Sequence, residues 1–517
     1  MPDYMYLLES RLSDEQRAAQ VRIQELAVTY ECNLYLAGGA VRDMISGMPI
    51  RDLDFVVEGN PSRMVRDLQN EGATISSSND TLRQVEMVLA GDVDVSIAAA
   101  REEVYARPGA KPEIRFSTVM EDLKRRDFSI NAIAISLNPN SRGLLLDPTN
   151  GLADIERREI RALSIHSFTN QPVRLLRALR YAARMGFKLD TRTSEWFDLA
   201  MERKLQETIS AEDSGSELRQ IAREEKPAAT LKAWESKDLY GGLHPQLVKK
   251  HPDYEAVNRI TRVRDDMWAA GFRPRLLAPM TSAILARLKN NERGPVLQRM
   301  SLGHAELRAV NELEGDAAKV VKHLTGPKTA SARDAYAFLE NASLDILAYI
   351  LAESSNSKAV GQIRNYLNKW KPLRLALPAV ATELEAIGLE HGPKFDKVLE
   401  DFFQAQLAGR ARKPEDHVKV LRKLAGIKEL PKKIEEKKKP EKIKKKGDPG
   451  AAPEATPAKG SAPTKAASTP AVSKPAPSAG QRTPEKSASR ATGAGHSREK
   501  TSAKIRTKPN RQSGKKR

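Results

Sequence analysis

Apolar and polar positions divide this chain into three stretches of different periodicity. Residues 1–30 carry helical spacing: Val21, Ile23, Leu26 and Ala27 form one face, and Ser13-Asp14-Glu15-Gln16 is a helix start. Leu34-Tyr35-Leu36 reads as a strand running into Gly38-Gly39, with a helix from Ala40. A second strand, Arg51 to Val57, carries Asp52 and Asp54, which alternation places on one face. Asn60-Pro61-Ser62 caps a helix over Met64 to Asn70. Val85–Ala90 and Val93–Ala98 flank the hairpin-type turn Gly91-Asp92, with Asp92, Asp94 and Ser96 on one face of the second strand. Pro172 opens a helix with Arg174, Arg177 and Arg180 on one side and Leu175, Leu176, Leu179 and Ala183 on the other. Residues 187–225 continue helical. From 226 to about 425 the pattern is helical throughout, with breaks expected at Gly241-Gly242, Pro274, Gly294-Pro295, Gly303, Gly326-Pro327 and Pro372. The expected fold class is α+β: a head of mixed sheet and helices, then an all-helical remainder.

Residues 427–517 have no such pattern. From 431 onward there is no Phe, Tyr, Trp, Leu, Met or Cys, so this segment is expected to be disordered. Residues 431–517 hold 24 Lys and Arg against 7 Asp and Glu, which leaves 62 basic and 60 acidic residues for the rest. The net charge of +19 therefore describes the tail, which suits non-specific phosphate contact, and RNA affinity elsewhere must come from local patches. No aromatic is interleaved for base stacking in the tail. The lone Cys32 excludes an intrachain disulfide and reads as a small core hydrophobe, and no Cys/His cluster suggests zinc. The N-terminal residues are too charged for a signal peptide, and no apolar run reaches membrane-spanning length, so a cytoplasmic protein is expected.

A lone Gly-Gly turn is usually only a turn, and a lone Asp-x-Asp is usually solvated. Their proximity changes the weighing. Two adjacent carboxylates repel unless a cation lies between them, and Mg²⁺ is the oxygen-loving cation that brings phosphates with it. Glycine lets a backbone approach closely, and amides at a helix start attract anionic oxygens. A phosphate cradle beside a metal pair points to metal-assisted nucleotidyl transfer with a two-ion site.

GGAVRD followed by RDLDFVV, then RRDFSINAIA, DPTNGLADIERREIRAL and PVRLLRALRYAARMGF, resembles the class II tRNA nucleotidyltransferase and bacterial poly(A) polymerase family, of the DNA polymerase β-like superfamily. The resemblance covers roughly residues 30–225. It implies a catalytic head over 1–140, a neck with a base-recognition helix over 141–225, and a helical RNA-binding body and tail over 226–426, before the basic segment 427–517. It implies Asp52 and Asp54 as catalytic metal ligands, and Gly38, Gly39 and Arg42 as receivers of the triphosphate. Arg126 and Asp127 would position phosphate and ribose. Gln171 and Arg174 would face the base, supported by Arg177 and Arg180. ATP and CTP are the implied substrates with Mg²⁺, and the partner is the 3′ end of tRNA or another RNA, with no membrane. The implied reaction is template-independent addition of CCA, or its terminal A. A poly(A) polymerase is the alternative, and a degenerate member that binds RNA without catalysis a further one.

Four departures from the family pattern stand out. Asn170-Gln171 replaces an acidic pair whose second acid, with an arginine, bonds the base edge; Gln171 accepts through its carbonyl but lacks charge assistance, which predicts weaker base selection. Ser96 stands where a third acid is usual, with Asp94 one pleat repeat back as a substitute. Asn150 stands where a turn glycine is usual, and asparagine tolerates the positive φ this needs. Arg101-Glu102-Glu103-Val104-Tyr105 carries one residue more than the family's Arg-Glu-x-Tyr.

Overall fold

The computed structural model describes residues 3–411 and 413–427; the expected disorder of the basic tail falls outside the described residues from 428 on. The first thirty residues make two helices, α1 (Tyr4–Arg11) and α2 (Asp14–Thr29), rather than one. The break lies at Leu12-Ser13, where Ser13 and Gln16 form a reciprocal capping box at the start of α2. Then come β1 (Asn33–Ala37), α3 (Gly39–Ile45), β2 (Leu53–Glu58), α4 (Ser62–Asn70), β3 (Thr74–Asn79), β4 (Gln84–Leu89) and β5 (Val93–Ala99). A hairpin of β6 (Arg101–Val104) and β7 (Glu113–Phe116) leads to α5 (Val119–Lys124), β8 (Ala134–Ser136) and β9 (Leu145–Leu146). The main sheet has the order β3-β4-β5-β2-β1-β8-β9, with β2 and β5 parallel and the other pairs antiparallel.

Alternation does what the sequence asked of it. Val93, Val95, Ile97 and Ala99 of β5 are buried and the residues between them are half-buried. One face of the sheet packs Leu34, Leu36, Leu53, Phe55 and Val57 against Ile23, Leu26 and Val41 of the helices, in the main core. The other face carries the carboxylates at one end. At the other end Val56, Ala37, Ala100 and Ala134 are closed over by Val119 and Leu123 of α5. The acids thus sit at the open edge of a partly covered face.

Beyond the sheet lie α6 (Gly151–Arg157), β10 (Glu159–Ile160), α7 (Ser167–Asn170), α8 (Arg174–Met185), β11 (Lys188–Leu189), α9 (Thr191–Glu202), α10 (Ala211–Arg223) and α11 (Pro227–Ser236). Asn150 takes the left-handed conformation expected of it, φ 62°. Asp147 Oδ1 accepts from the Gly151 amide at 2.7 Å and its Oδ2 from the Leu152 amide at 2.9 Å, which starts α6. A Cβ on Gly151 would lie 2.2 Å from the Ser129 carbonyl oxygen, so backbone would have to move. We expect Gly151→Ala to lower unfolding free energy by about 2 kcal/mol through overpacking, measured by urea titration.

Among the described residues no strand lies beyond Leu189. Helices run on to Ala425, and Val380, Leu384, Phe395, Val398, Phe402 and Leu421 form a second, smaller core of their own. Three expected breaks are not breaks; one is Pro372, which lies in an unbroken helical run from Ser357 to Leu375. Gly241-Gly242 lies within a short helix, Tyr240–Leu243, where a Cβ on Gly242 would meet the Gln206 carbonyl oxygen at 2.3 Å; close approach explains that glycine. Pro295 lies inside the helix Asn290–Arg299, which loses one amide donor there and continues. Among the described residues no single helix is long and apolar enough to cross a membrane.

Candidate active site

The turn after β1 shapes the site. Gly38 has φ 74°, and its amide donates to the Ile133 carbonyl at 3.1 Å, so its contribution is conformation rather than a free donor. A Cβ on Gly38 would lie 2.7 Å from Arg126 Nη1 and 3.7 Å from Asp54 Oδ2; one on Gly39 would lie 3.5 Å from Asp54 Oδ2. The glycines, Asp54 and Arg126 therefore surround one small space that any side chain at 38 or 39 would fill.

Asp54 makes no side-chain hydrogen bond or ion pair among the described residues. Burial pushes its carboxyl up to about 7, Asp52 adds to the rise, and Arg126, Arg42 and Arg223 oppose it. Asp52 lies 3.6 Å from Arg223 Nη1, and Arg223 Nη2 donates to Asp94 Oδ2 at 2.9 Å. Asp94 is also 4.0 Å from Arg275. The acid expected to stand in for the missing third carboxylate is thus held by the last residue of α10.

Arg126 turns away from its sequence neighbour. Its Nε and Nη2 donate to Asp122 Oδ2 at 3.2 and 3.1 Å, and Nη1 donates to the Asn131 carbonyl at 3.1 Å. Asp127 Oδ1 accepts from the Phe128 amide at 2.8 Å and Asn131 Nδ2 at 2.9 Å, with Arg177 Nη1 3.7 Å from Oδ2. Burial would raise the Asp127 carboxyl, but Arg177, Arg174 and these hydrogen bonds hold it below its ordinary value. Arg126 and Asp127 make no ion pair with each other; each is held by other residues.

Arg42 is buried. Its Nε donates to Asp43 Oδ1 at 2.8 Å, Nη1 to Asn131 Oδ1 at 2.6 Å, and its guanidinium lies 4.9 Å from the centre of the Tyr181 ring. Arg180 is buried too, donating to Glu217 Oε2 at 2.9 Å and Glu224 Oε1 at 3.0 Å. Arg177 Nε donates to Glu217 Oε1 at 3.0 Å.

Helix α8 and the residues just before it carry a connected network. Gln171 Oε1 accepts from Arg174 Nε at 3.2 Å, and Gln171 Nε2 donates to Glu103 Oε2 and the Tyr105 hydroxyl, both at 3.3 Å. Arg174 Nη1 donates to Ser167 Oγ at 2.9 Å. Asn170 Oδ1 accepts from the Gly109 amide at 2.9 Å, tying the β6–β7 loop to α7. Glu103 was missed as a member of this site, although the extra residue in its segment was the signal. Arg223 and Glu217 were missed as well, since each acts through a partner distant in sequence, whereas Asp122 was missed although Arg126, which it holds, lies one helical turn on.

Residues 34–161 match the family described as the poly A polymerase head domain. The A-adding tRNA nucleotidyltransferase of Halalkalibacterium halodurans is 34% identical over 240 residues, 46% of this chain and 56% of that protein. The A-adding tRNA nucleotidyltransferase of Geobacter sulfurreducens is 25% identical over 403 residues, 76% of this chain and 45% of that protein. The CC-adding tRNA nucleotidyltransferase of Deinococcus radiodurans is 37% identical over 155 residues, 30% of this chain and 41% of that protein. The chain spans about half the length of the first two of these curated relatives.

Proposed function

We propose that this chain is a template-independent RNA nucleotidyltransferase that adds CCA, or its terminal A, to tRNA 3′ ends. The observation that carries the reading is the space bounded by Gly38, Gly39, Asp54 and Arg126, with Asp52 beside it. The RNA 3′-hydroxyl attacks the α-phosphate of ATP or CTP, a new phosphodiester bond forms, and pyrophosphate leaves. We place this work in the cytoplasm, with the tRNA and nucleoside triphosphates.

The donor set fits Mg²⁺. Asp52 and Asp54 are oxygen ligands, the charge of Asp52 disfavours ionisation of Asp54, and Asp54 has no other partner among the described residues to settle its charge. When bound, Mg²⁺ supplies Lewis-acid stabilisation of the reacting oxygens. The chain's own residues do the rest. Gly38 and Gly39 keep the backbone open to the triphosphate. Arg126 lies at that opening, held by Asp122, where its positive charge faces phosphate. Arg42 acts from beneath, fixing Asn131 and thereby Asp127. Asp127 offers its carboxylate to the ribose, and Arg177 keeps it ionised. Arg174 and Gln171 present a donor and an amide to the base edge, and Arg180 holds the helix that carries them. We keep the working division into head (1–140), neck (141–225) and body and tail (226–426), because strands end with the neck and a separate small core forms toward the end of the body.

The test is incorporation from labelled ATP and CTP, separately and together, with Mg²⁺. The tRNAs end before the first C, the second C or the A, and a generic RNA is the control. Ordered C, C, A addition, or A alone on the last substrate, is the expected result. A-runs on any RNA would establish a poly(A) polymerase instead. Absence of incorporation with RNA binding retained overturns the enzymatic reading.

Gln171 tests base selection. Gln171→Ala removes the acceptor of Arg174 Nε and a donor to Glu103. We expect kcat/KM for the preferred nucleotide to fall about 10- to 100-fold, with a smaller loss for the other, because a buried polar site is left partly unpaired. Steady-state kinetics with each nucleotide checks this.

A further inference from the structure

Of the residues placed at the base edge, Gln171 is the ambiguous one. Arginines only donate, whereas an amide accepts through its carbonyl and donates through its NH₂. Adenine and cytosine carry an exocyclic amino donor, and guanine and uracil an exocyclic carbonyl acceptor. With its carbonyl toward the base, Gln171 would select adenine and cytosine. Turned over, it would admit guanine and uracil. The direction of one amide therefore decides the selectivity of the site.

The surroundings fix that direction. Glu103, on β6, has a nearly buried side chain whose two oxygens do different things. Oε1 accepts from Arg125 Nη1 at 3.3 Å, with Arg101 Nε 3.6 Å away, which anchors the carboxylate. Oε2 accepts from the Tyr105 hydroxyl at 2.9 Å and from Gln171 Nε2 at 3.3 Å. Tyr105 gives its one proton to Glu103, so toward Gln171 Nε2, also 3.3 Å away, its oxygen only accepts. Across the amide, Arg174 Nε donates to Gln171 Oε1 at 3.2 Å. Arg174 is itself held by Ser167 Oγ at 2.9 Å and the Arg125 carbonyl at 3.3 Å. Turning the amide over would set its carbonyl against a carboxylate and its NH₂ against a guanidinium. Both contacts would become repulsive, so one orientation is favoured.

We infer that Glu103 is a positioning residue for base selection: it holds the NH₂ of Gln171, so that the Gln171 carbonyl, beside Arg174, takes the exocyclic amino group of adenine or cytosine and turns away guanine and uracil. The inference rests on the nucleotidyl-transfer reading above and on the place that reading gives Gln171. The carbonyl has two lone pairs, one for Arg174 and one for the base. The carboxylate behind the amide also polarises it, because hydrogen bonds in a chain strengthen one another. Charge absent from position 171 thus acts from one hydrogen bond further back.

The experiment measures kcat/KM of the full chain for ATP against GTP, and for CTP against UTP, on the tRNA that it extends. The variants are Glu103→Gln, Gln171→Glu and the two combined, with thermal melts to confirm folding. Glu103→Gln keeps the shape, but an amide at 103 satisfies Gln171 in either orientation. The preference for ATP over GTP is expected to fall roughly tenfold or more. Gln171→Glu alone sets two carboxylates against each other and is expected to lower kcat/KM for ATP. The double variant exchanges the acid and the amide, and is expected to recover both the rate and the preference. A role for Glu103 confined to holding β6 and its loop would give no such recovery. An unchanged preference in Glu103→Gln, with Gln171→Ala impaired, overturns the inference and leaves Gln171 at the base. Unchanged preference in both overturns the inference together with that placement. If Glu103→Gln does not fold, the double variant is compared with Gln171→Glu, and no gain on adding Glu103→Gln overturns the inference. Absence of incorporation by the parent chain removes the nucleotidyl-transfer reading itself.

Discussion

Replacing Asp54 by asparagine is expected to lower nucleotide incorporation by about 10³-fold or more, and to make the cation-free protein more stable at pH 8. The first effect follows from losing a charged ligand where charge develops. Several kcal/mol of transition-state stabilisation depend on such a site, and about 4 kcal/mol is a thousandfold. The second follows from the Asp54 carboxyl itself, which burial and Asp52 push from 3.8 to about 7 in the folded chain. Below the unfolded value it is protonated in both states, and the stability it contributes is fully present. As pH rises, the unfolded chain ionises first, so that stability is lost until the folded group has also ionised near pH 7. Asparagine carries no such term. The variant should therefore gain on the parent between about pH 4 and 7 and keep its advantage above. A divalent cation, which binds the ionised acid, should narrow the gap. Thermal melts at pH 5 and pH 8, with chelator and then with Mg²⁺, read this directly. A variant no more stable than the parent at pH 8, or one that still incorporates nucleotide at the parental rate, contradicts the account of Asp54.

What the sequence revealed, and what it hid, divides by distance along the chain. Alternation in β2 and β5 and the Gly38–Gly39 turn are local, and the structure places Asp54 against that turn as expected. Asn150 in the left-handed region was legible for the same reason: one residue's backbone preference sufficed. Arg174, Arg177 and Arg180 are instead alike in sequence and different in place. Their spacing shows a shared helix face but not which carboxylates meet it. Glu217 and Glu224, on or just past α10, take up Arg180, and Glu217 also takes Arg177, while Arg174 is left to Gln171 and Ser167. Arg42 likewise reads as a free cation until Asp43, Asn131 and Tyr181 are found around it. Asp94 shows the opposite case. Its face was read correctly, but its partner Arg223 comes 129 residues later. The substitution of Gln171 for an acid also looks less severe in three dimensions, because Glu103 brings a nearly buried carboxylate to its amide from a strand nearly seventy residues earlier.

Removal of the Glu217 carboxylate is expected to cost more stability than any other single change considered. Glu217 is 1% exposed and accepts from both Arg177 and Arg180, while Arg180 itself is 3% exposed. Glu217→Ala leaves Arg180 in the interior with Glu224 alone and takes from Arg177 its closest carboxylate, and removing one partner of a buried ion pair costs about 3–5 kcal/mol. A cavity adds to the loss. Because the same acid holds two turns of α8, Arg177 is freed and the pull that it exerts on Asp127 loosens, so the KM for nucleotide should rise even under conditions where the variant is folded. Urea titration gives the stability term, and kinetics at low temperature give the second. The pair itself is not required for stability. Arg180→Leu combined with Glu217→Leu removes both charges and fills the space, and Glu224 retains Arg51 at 3.6 Å. That double variant should be less destabilised than Glu217→Ala alone, because desolvating an ion pair offsets much of its attraction. If the double variant is instead the worse of the two, α8 and α10 depend on the ion pair itself, and the neck is held together by charge rather than by burial.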